Sequence, residues 1–244
     1  MSQLQPSKGV TAVLVAMILA GGLASAGYFA SKTLYNAQVA VNTAQAKGLA
    51  ERKVKADMAR WTVGFSASGK SREEIPALYE KAEAQQKQVL DLLKAQGFSA
   101  DELRAEIIDH TMREYRDDNQ VLVEESHRLA GAITVSTGQV DLVEKARAEV
   151  NKLLAQGLDI SNGTPEYFFT KLNEIKPAML KEAAQNARIA ATEFATNAGA
   201  KVGKIRSASQ GGFIVQDAGS SSGETYSILK DIRVVTTVDF YLND

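Results

Sequence analysis

The chain has 244 residues, 45% hydrophobic and 23% charged, and its 28 basic and 29 acidic side chains leave a net charge of −1. That balance suits a folded protein and supplies no field to gather nucleic acid. Cysteine is absent and the only histidines are His110 and His127, which excludes disulfides, thiolate chemistry, iron–sulfur clusters and cysteine-type zinc sites.

Residues 9–31 form 23 consecutive uncharged positions between Lys8 and Lys32. As a helix rising ~1.5 Å per residue they reach about 35 Å, enough for a hydrocarbon core of roughly 30 Å. The run also holds Ala24-Ser25-Ala26, an A-x-A pattern suited to signal peptidase. Gly27, Tyr28, Phe29 and Ala30 extend it past that cut, with Tyr28 placed for the interface, so the reading adopted is a retained transmembrane anchor in the lipid bilayer. Residues 1–8 then form a short cytoplasmic tail, and the rest lies in the periplasm of a bacterium-like cell, outside its inner membrane. Ala16, Ala20 and Ala24 recur every four residues and would let a second helix approach, although small residues are common in export signals too.

Residues 32–46 read as a juxtamembrane connector and 47–244 as the folded domain. Strands are predicted over 47–56 and 61–68, with Asp57 to Ala59 as the turn. Ile75, Leu78, Tyr79, Ala82, Val89, Leu90 and Leu93 follow helical spacing up to Gly97. Residues 103–117 and 120–135 flank Asp117-Asp118-Asn119 and predict a long hairpin. Val140, Val143, Val150, Leu153 and Leu154 give a second helix ending at Gly157, and Tyr167, Phe168, Phe169 and Leu172 a short buried strand. Pro177 suits the first turn of a third, alanine-rich helix that ends at Gly199. Strands over 201–208 and 228–242 close the chain, joined by a Gly/Ser-rich mobile loop over 210–225. The order ββαββαβαββ makes the class α+β.

Several of these segments together resemble the SIMPL domain family, which includes periplasmic immunogenic proteins and membrane-anchored versions. The resemblance is carried by Lys47-Gly48 opening the first strand, Leu92-Leu93-Lys94-Ala95-Gln96-Gly97 at a helix end, and the stretch from Ala183 to Gly199 followed by Lys201-Val202-Gly203-Lys204-Ile205. The terminal Ile232 to Val238 strand completes it. It implies an exported α+β domain that assembles into large homo-oligomers, with no agreed catalytic site. The segment Ser161-Asn162-Gly163-Thr164-Pro165 and the Gly/Ser loop depart from the family pattern.

Two motifs suggest chemistry. Gly64-Phe65-Ser66-Ala67-Ser68-Gly69-Lys70-Ser71 satisfies the phosphate-loop pattern, in which Gly64 and Gly69 free the backbone, Lys70 reaches phosphates and Ser71 holds a metal. The plainer reading is a strand through Gly64, then Ser71 and Glu74 as a helix-capping box. A two-residue turn at Asp118-Asn119 would set His110 opposite His127 and Arg113 opposite Glu124, with Glu125 diagonal to the histidines. Two imidazoles and a carboxylate are a possible metal site; the plainer reading is polar positions at a surface or subunit interface. Asn162-Gly163-Thr164 fits a glycosylation sequon but reads as a turn, and Lys201, Lys204 and Arg206 as a solvated strand face.

No carboxylate pair stands out for acid/base work, and neither an enzyme nor a cofactor is expected. The expected function is a membrane-anchored structural or interaction protein that forms a homo-oligomer larger than a dimer and supports envelope integrity or stress tolerance. A channel or cage built from the same oligomer is the alternative, and a nucleotide- or metal-dependent enzyme the third reading.

Overall fold

The computed structural model describes residues 8–39, 42–220, 223 and 225–243. The remaining residues of the amino-terminal tail, and Ser221, Ser222 and Glu224 of the Gly/Ser run, lie outside the described residues. Helix α1 spans Lys8–Val39 and contains one stretch, Val15–Tyr35, long and apolar enough to cross a membrane, with mean hydropathy 1.2. Ser25 and Thr33 turn their hydroxyls back to the carbonyls of Gly21 and Phe29, which satisfies both groups inside the helix itself. The helix runs past Lys32 through much of the expected connector, because Ala, Leu and Gln there favour helix.

After it come β1 (Thr43–Lys55), β2 (Met58–Gly69), α2 (Ile75–Ala95), β3 (Leu103–Ala105), β4 (Asp109–Arg116), β5 (Leu122–Thr137) and α3 (Val140–Ala155). β6 (Ile160–Asn162), β7 (Glu166–Phe168), α4 (Leu172–Asn197), β8 (Lys201–Gln210), β9 (Ile214–Asp217) and β10 (Leu229–Asn243) complete the chain. The α+β class and the broad order agree with the sequence reading. Strand structure begins at Thr43 rather than Lys47. Three short strands are added: residues 103–117 divide into β3 and β4, β6 precedes β7, and β9 lies inside the expected loop, held by pairing with β10.

The chain divides into two units. In the first, β10 lies between β1 and β8, and α4 covers this sheet with Met179, Ala183, Ala187, Ala191 and Ala195, all buried at four-residue spacing. A Cβ on Gly48 would run into the backbone of Ala183 and Ala187, so only glycine lets strand and helix come this close.

The second unit holds a sheet of order β3-β5-β2-β6, with β4 also beside β5 and β7 beside β2. Alternate residues Trp61, Val63, Phe65 and Ala67 of β2 and Leu129, Ile133 and Val135 of β5 are buried on one face. They share a core with Leu78, Val89 and Leu93 of α2 and Val140, Val143 and Val150 of α3. Gly131 sits opposite Phe65, whose ring fills the place of its absent side chain. Gly97 and Gly157 end α2 and α3 with positive φ, 108° and 89°. Pro177 is not at the start of α4: five residues of helix precede it, and Asp57 accepts the amides of Thr170 (2.8 Å) and Lys171 (3.2 Å) just ahead of that start.

Candidate functional site

The hairpin of β4 and β5 carries both histidines, and its turn decides how they meet. Asp117 Oδ1 accepts the amides of Asn119 and Val121, and the Asp117 amide donates to the Val121 carbonyl at 2.9 Å. The loop is therefore three residues long, with Gln120 at φ 62° taking the left-handed position. This loop moves the register by one residue from that of a two-residue turn. An irregularity between Tyr115 and Arg116 moves it by one more, so Met112 lies opposite His127, His110 opposite Leu129, and Arg113 opposite Ser126 rather than Glu124. Two single-residue shifts restore the original face. His110 and His127 are consequently diagonal neighbours instead of a directly opposed pair.

They nevertheless touch. His110 Nε2 lies 3.0 Å from His127 Nδ1, with ring planes 15° apart and centroids 5.2 Å apart. This is an edge-to-edge hydrogen bond between nearly parallel rings rather than a face-to-face stack. His127 is 1% exposed, and its Nε2 is buried without a hydrogen-bond partner, 3.5 Å from Glu125 Oε1. That separation is within ion-pair range, and Nε2 makes no hydrogen bond across it. Gly69, the ladder partner of His127, leaves a space that the Glu74 carboxylate occupies. Among the described residues, no three His, Cys, Asp or Glu side chains already converge as a metal cluster.

The phosphate-loop residues lie alongside. β2 stays in the ladder through Gly64, opposite Ala132, to Gly69, so no loop is present there to wrap a phosphate. Lys70 pairs with Glu124 at 3.0 Å, and Ser71 Oγ accepts the amide of Glu73 at 3.2 Å at the turn before α2. The Ser71–Glu74 capping box is thus replaced by a Ser71 cap alone, with Glu74 reaching back over Gly69. These are structural contacts for all four residues, Gly64, Gly69, Lys70 and Ser71.

Elsewhere polar groups serve the fold. Asn162 of the sequon donates to the Arg147 carbonyl and to Asn151 Oδ1 while accepting from Trp61 Nε1, so its amide is fully engaged. Tyr167 is buried and donates to Glu144 at 3.0 Å; burial chiefly, with Glu144, pushes its phenol far above the usual range. Lys230 and Asp217, directly opposite on β10 and β9, form a buried ion pair. Burial works to raise the Asp217 carboxyl, but Lys230 and the amides of Ser227 and Tyr226 outweigh it and hold the group below its ordinary value. A cleft of about 660 Å³ is edged by Lys55, Asp57, Asp141, Lys145 and Lys171, where Lys55 bonds Asp141 at 2.5 Å and Asp57 holds the approach to α4.

Sequence reasoning missed Glu74 and Gly69 as neighbours of His127. Only the register of β2 against β5, which sets Gly69 opposite His127, brings Glu74 to that neighbourhood.

The molecule is an α+β domain on two sheets, with a projecting hairpin and an amino-terminal apolar helix. Residues 44–237 match the SIMPL family model, described as a protein of unknown function (DUF541), and the chain belongs to that family. No curated protein matches the chain.

Proposed function

We propose that the protein is a non-enzymatic structural module of the cell envelope, anchored in the inner membrane by residues 9–31, with its domain in the periplasm assembled into a closed homo-oligomer larger than a dimer. The observation that carries this reading is the exposed arm. All eight residues of β4 are exposed, and among the described residues β5 is its sole strand partner, which leaves the outer edge free. At ~3.4 Å per residue that edge is about 27 Å of unpaired backbone, an aggregation hazard unless another chain covers it. Near its tip Tyr115 is 72% exposed and Val123 63%, with Val121 and Leu122 also exposed. Charges interleave with them as Glu114–Arg116 and Lys70–Glu124 pairs, a mixed composition that suits a subunit interface. Closed symmetry would give every copy the same cover.

Light scattering of the full chain in mild detergent should give a protein mass several times that of one chain, falling on Tyr115→Glu or Val123→Glu with circular dichroism unchanged. A monomer at tens of micromolar, or an oligomer indifferent to both variants, defeats the hairpin-mediated assembly. Protease added outside spheroplasts should digest the domain of membrane-fractionated protein. A mature chain beginning at Gly27 would instead show a cleaved signal.

A further inference from the structure

The His110–His127 contact admits two proton arrangements, since one nitrogen must donate and the other accept. If His110 donates, His127 carries its own proton on Nε2, buried and directed only toward a carboxylate oxygen 3.5 Å away. If His127 donates from Nδ1, its Nε2 presents a bare lone pair to the Glu125 carboxylate. Two electron-rich atoms then face each other, an arrangement that calls for a cation between them. It is also the arrangement of a metal-bound imidazole, whose second nitrogen donates its proton to an acceptor that fixes the ring. His110 Nε2 is that acceptor.

The spacing agrees. Two ligand atoms ~2.0–2.1 Å from a tetrahedral ion stand about 3.3 Å apart, close to the 3.5 Å between His127 Nε2 and Glu125 Oε1. Further donors lie on the same face of the sheet. The Glu74 carboxylate fills the notch left by Gly69, opposite His127, and Glu114 is the ladder partner of Glu125. Like charges directly across a ladder repel, and Arg116 offsets the Glu114 carboxylate at 2.6 Å. A cation at Glu125 would relieve this pair as well. Imidazole and carboxylate donors without thiolate suit zinc, nickel or copper(II) rather than calcium or magnesium.

We propose that His127 Nε2 and Glu125 bind a divalent transition ion of the zinc type at the base of the hairpin, with Glu74 as the third protein donor and His110 as the positioning residue. The third donor must swing in from the Gly69 notch, and solvent completes the shell. Such a site would brace the arm where it leaves the core, joining β5 to the turn before α2.

The test uses the full chain, purified in detergent without a His-tag and stripped with chelator. Calorimetric titration with Zn²⁺ should show one ion per chain, and Co²⁺ should give visible absorption bands of a nitrogen–oxygen site. His127→Gln should abolish both signals, Glu125→Gln should weaken binding at least about tenfold, and His110→Ala should weaken it about 10–100-fold, as expected when the group orienting a ligand is removed. Glu124→Gln, which disturbs the neighbouring Lys70 pair alone, should leave binding unchanged. Glu125 is 31% exposed, so its variant keeps the fold even if His127→Gln does not. Absence of Zn²⁺ uptake by the parent chain at millimolar ion, or binding that Glu125→Gln leaves intact, overturns the proposal.

Discussion

Helix α2 buries Leu78, Val89 and Leu93 in a cluster with Trp61, Phe65 and Ile133, while α4 buries four alanines and a methionine on a sheet notched by Gly48. The first packing uses large side chains that interlock; the second brings backbones together and has little side-chain volume to lose. In the first, a deletion opens a cavity. In the second, an addition has nowhere to go.

The largest effects should come from breaking the interlocked side. Trp61 is 1% exposed and holds Asn162 through its indole N–H, so Trp61→Ala should cost about 3–5 kcal/mol in urea unfolding followed by circular dichroism. Lys230→Ala should cost a similar ~3–5 kcal/mol by leaving Asp217 buried and unpaired, whereas Lys230→Met combined with Asp217→Leu should recover most of that loss. A double variant no more stable than Lys230→Ala would mean the charges are needed for more than mutual compensation.

Asp217 also predicts a pH dependence. Its folded carboxyl titrates below the unfolded one, so the folded state binds fewer protons and the group's contribution is complete above the unfolded value of about 3.9. Stability should fall as pH drops below that value through the lower folded one. Thermal melts from pH 5 to pH 2, with pH values chosen around the ordinary carboxylate range of ~4, should show a shallower decline for the Lys230→Met, Asp217→Leu variant than for the parent.

Next come the glycines, which separate a backbone obstacle from a movable one. Gly48→Ala meets the backbone of Ala183 and Ala187 and should cost about 1–3 kcal/mol or more. Gly69→Ala meets side chains only, the end of Glu74, which can swing away, and the Leu78 Cδ1 at 3.0 Å, and should cost about 1 kcal/mol while displacing Glu74 from the His127 neighbourhood. Equal losses for the two would remove the distinction. The smallest effect belongs to the arm: Val123→Glu should change unfolding of the chain by no more than about 0.5 kcal/mol, because the side chain is 63% exposed and lies outside the buried core.

Much of this architecture was legible in residue order because it depends on near neighbours. The three- and four-residue recurrence from Leu78 to Leu93, the alternation from Trp61 to Ala67, and the glycines ending three helices each express local periodicity or local backbone freedom. The 23 uncharged residues between Lys8 and Lys32 likewise announce an apolar helix by composition alone. Pro177 misled because its suitability for a first turn says nothing of the five helical residues that tertiary contacts can support ahead of it. The strand β9 was hidden for a related reason: four residues among glycines have no period to read, and they become a strand through pairing with β10 and the Asp217–Lys230 contact.

The histidine site marks the boundary between the two kinds of information. Alternation was enough to put Glu125 and His127 on one face of β5, since a strand repeats every two residues whatever its partner does, whereas His110 of β4 shares that face because two one-residue shifts cancel. Their actual neighbours depended on Gln120 adopting a left-handed conformation and on an irregularity beside Tyr115, each moving the register by one. Gly69 and Glu74 joined the site through a different ladder and a different turn, more than fifty positions away in sequence. Composition and periodicity fixed which residues could share a surface. Register and long-range pairing, which sum small steps over distant segments, decided which of them meet.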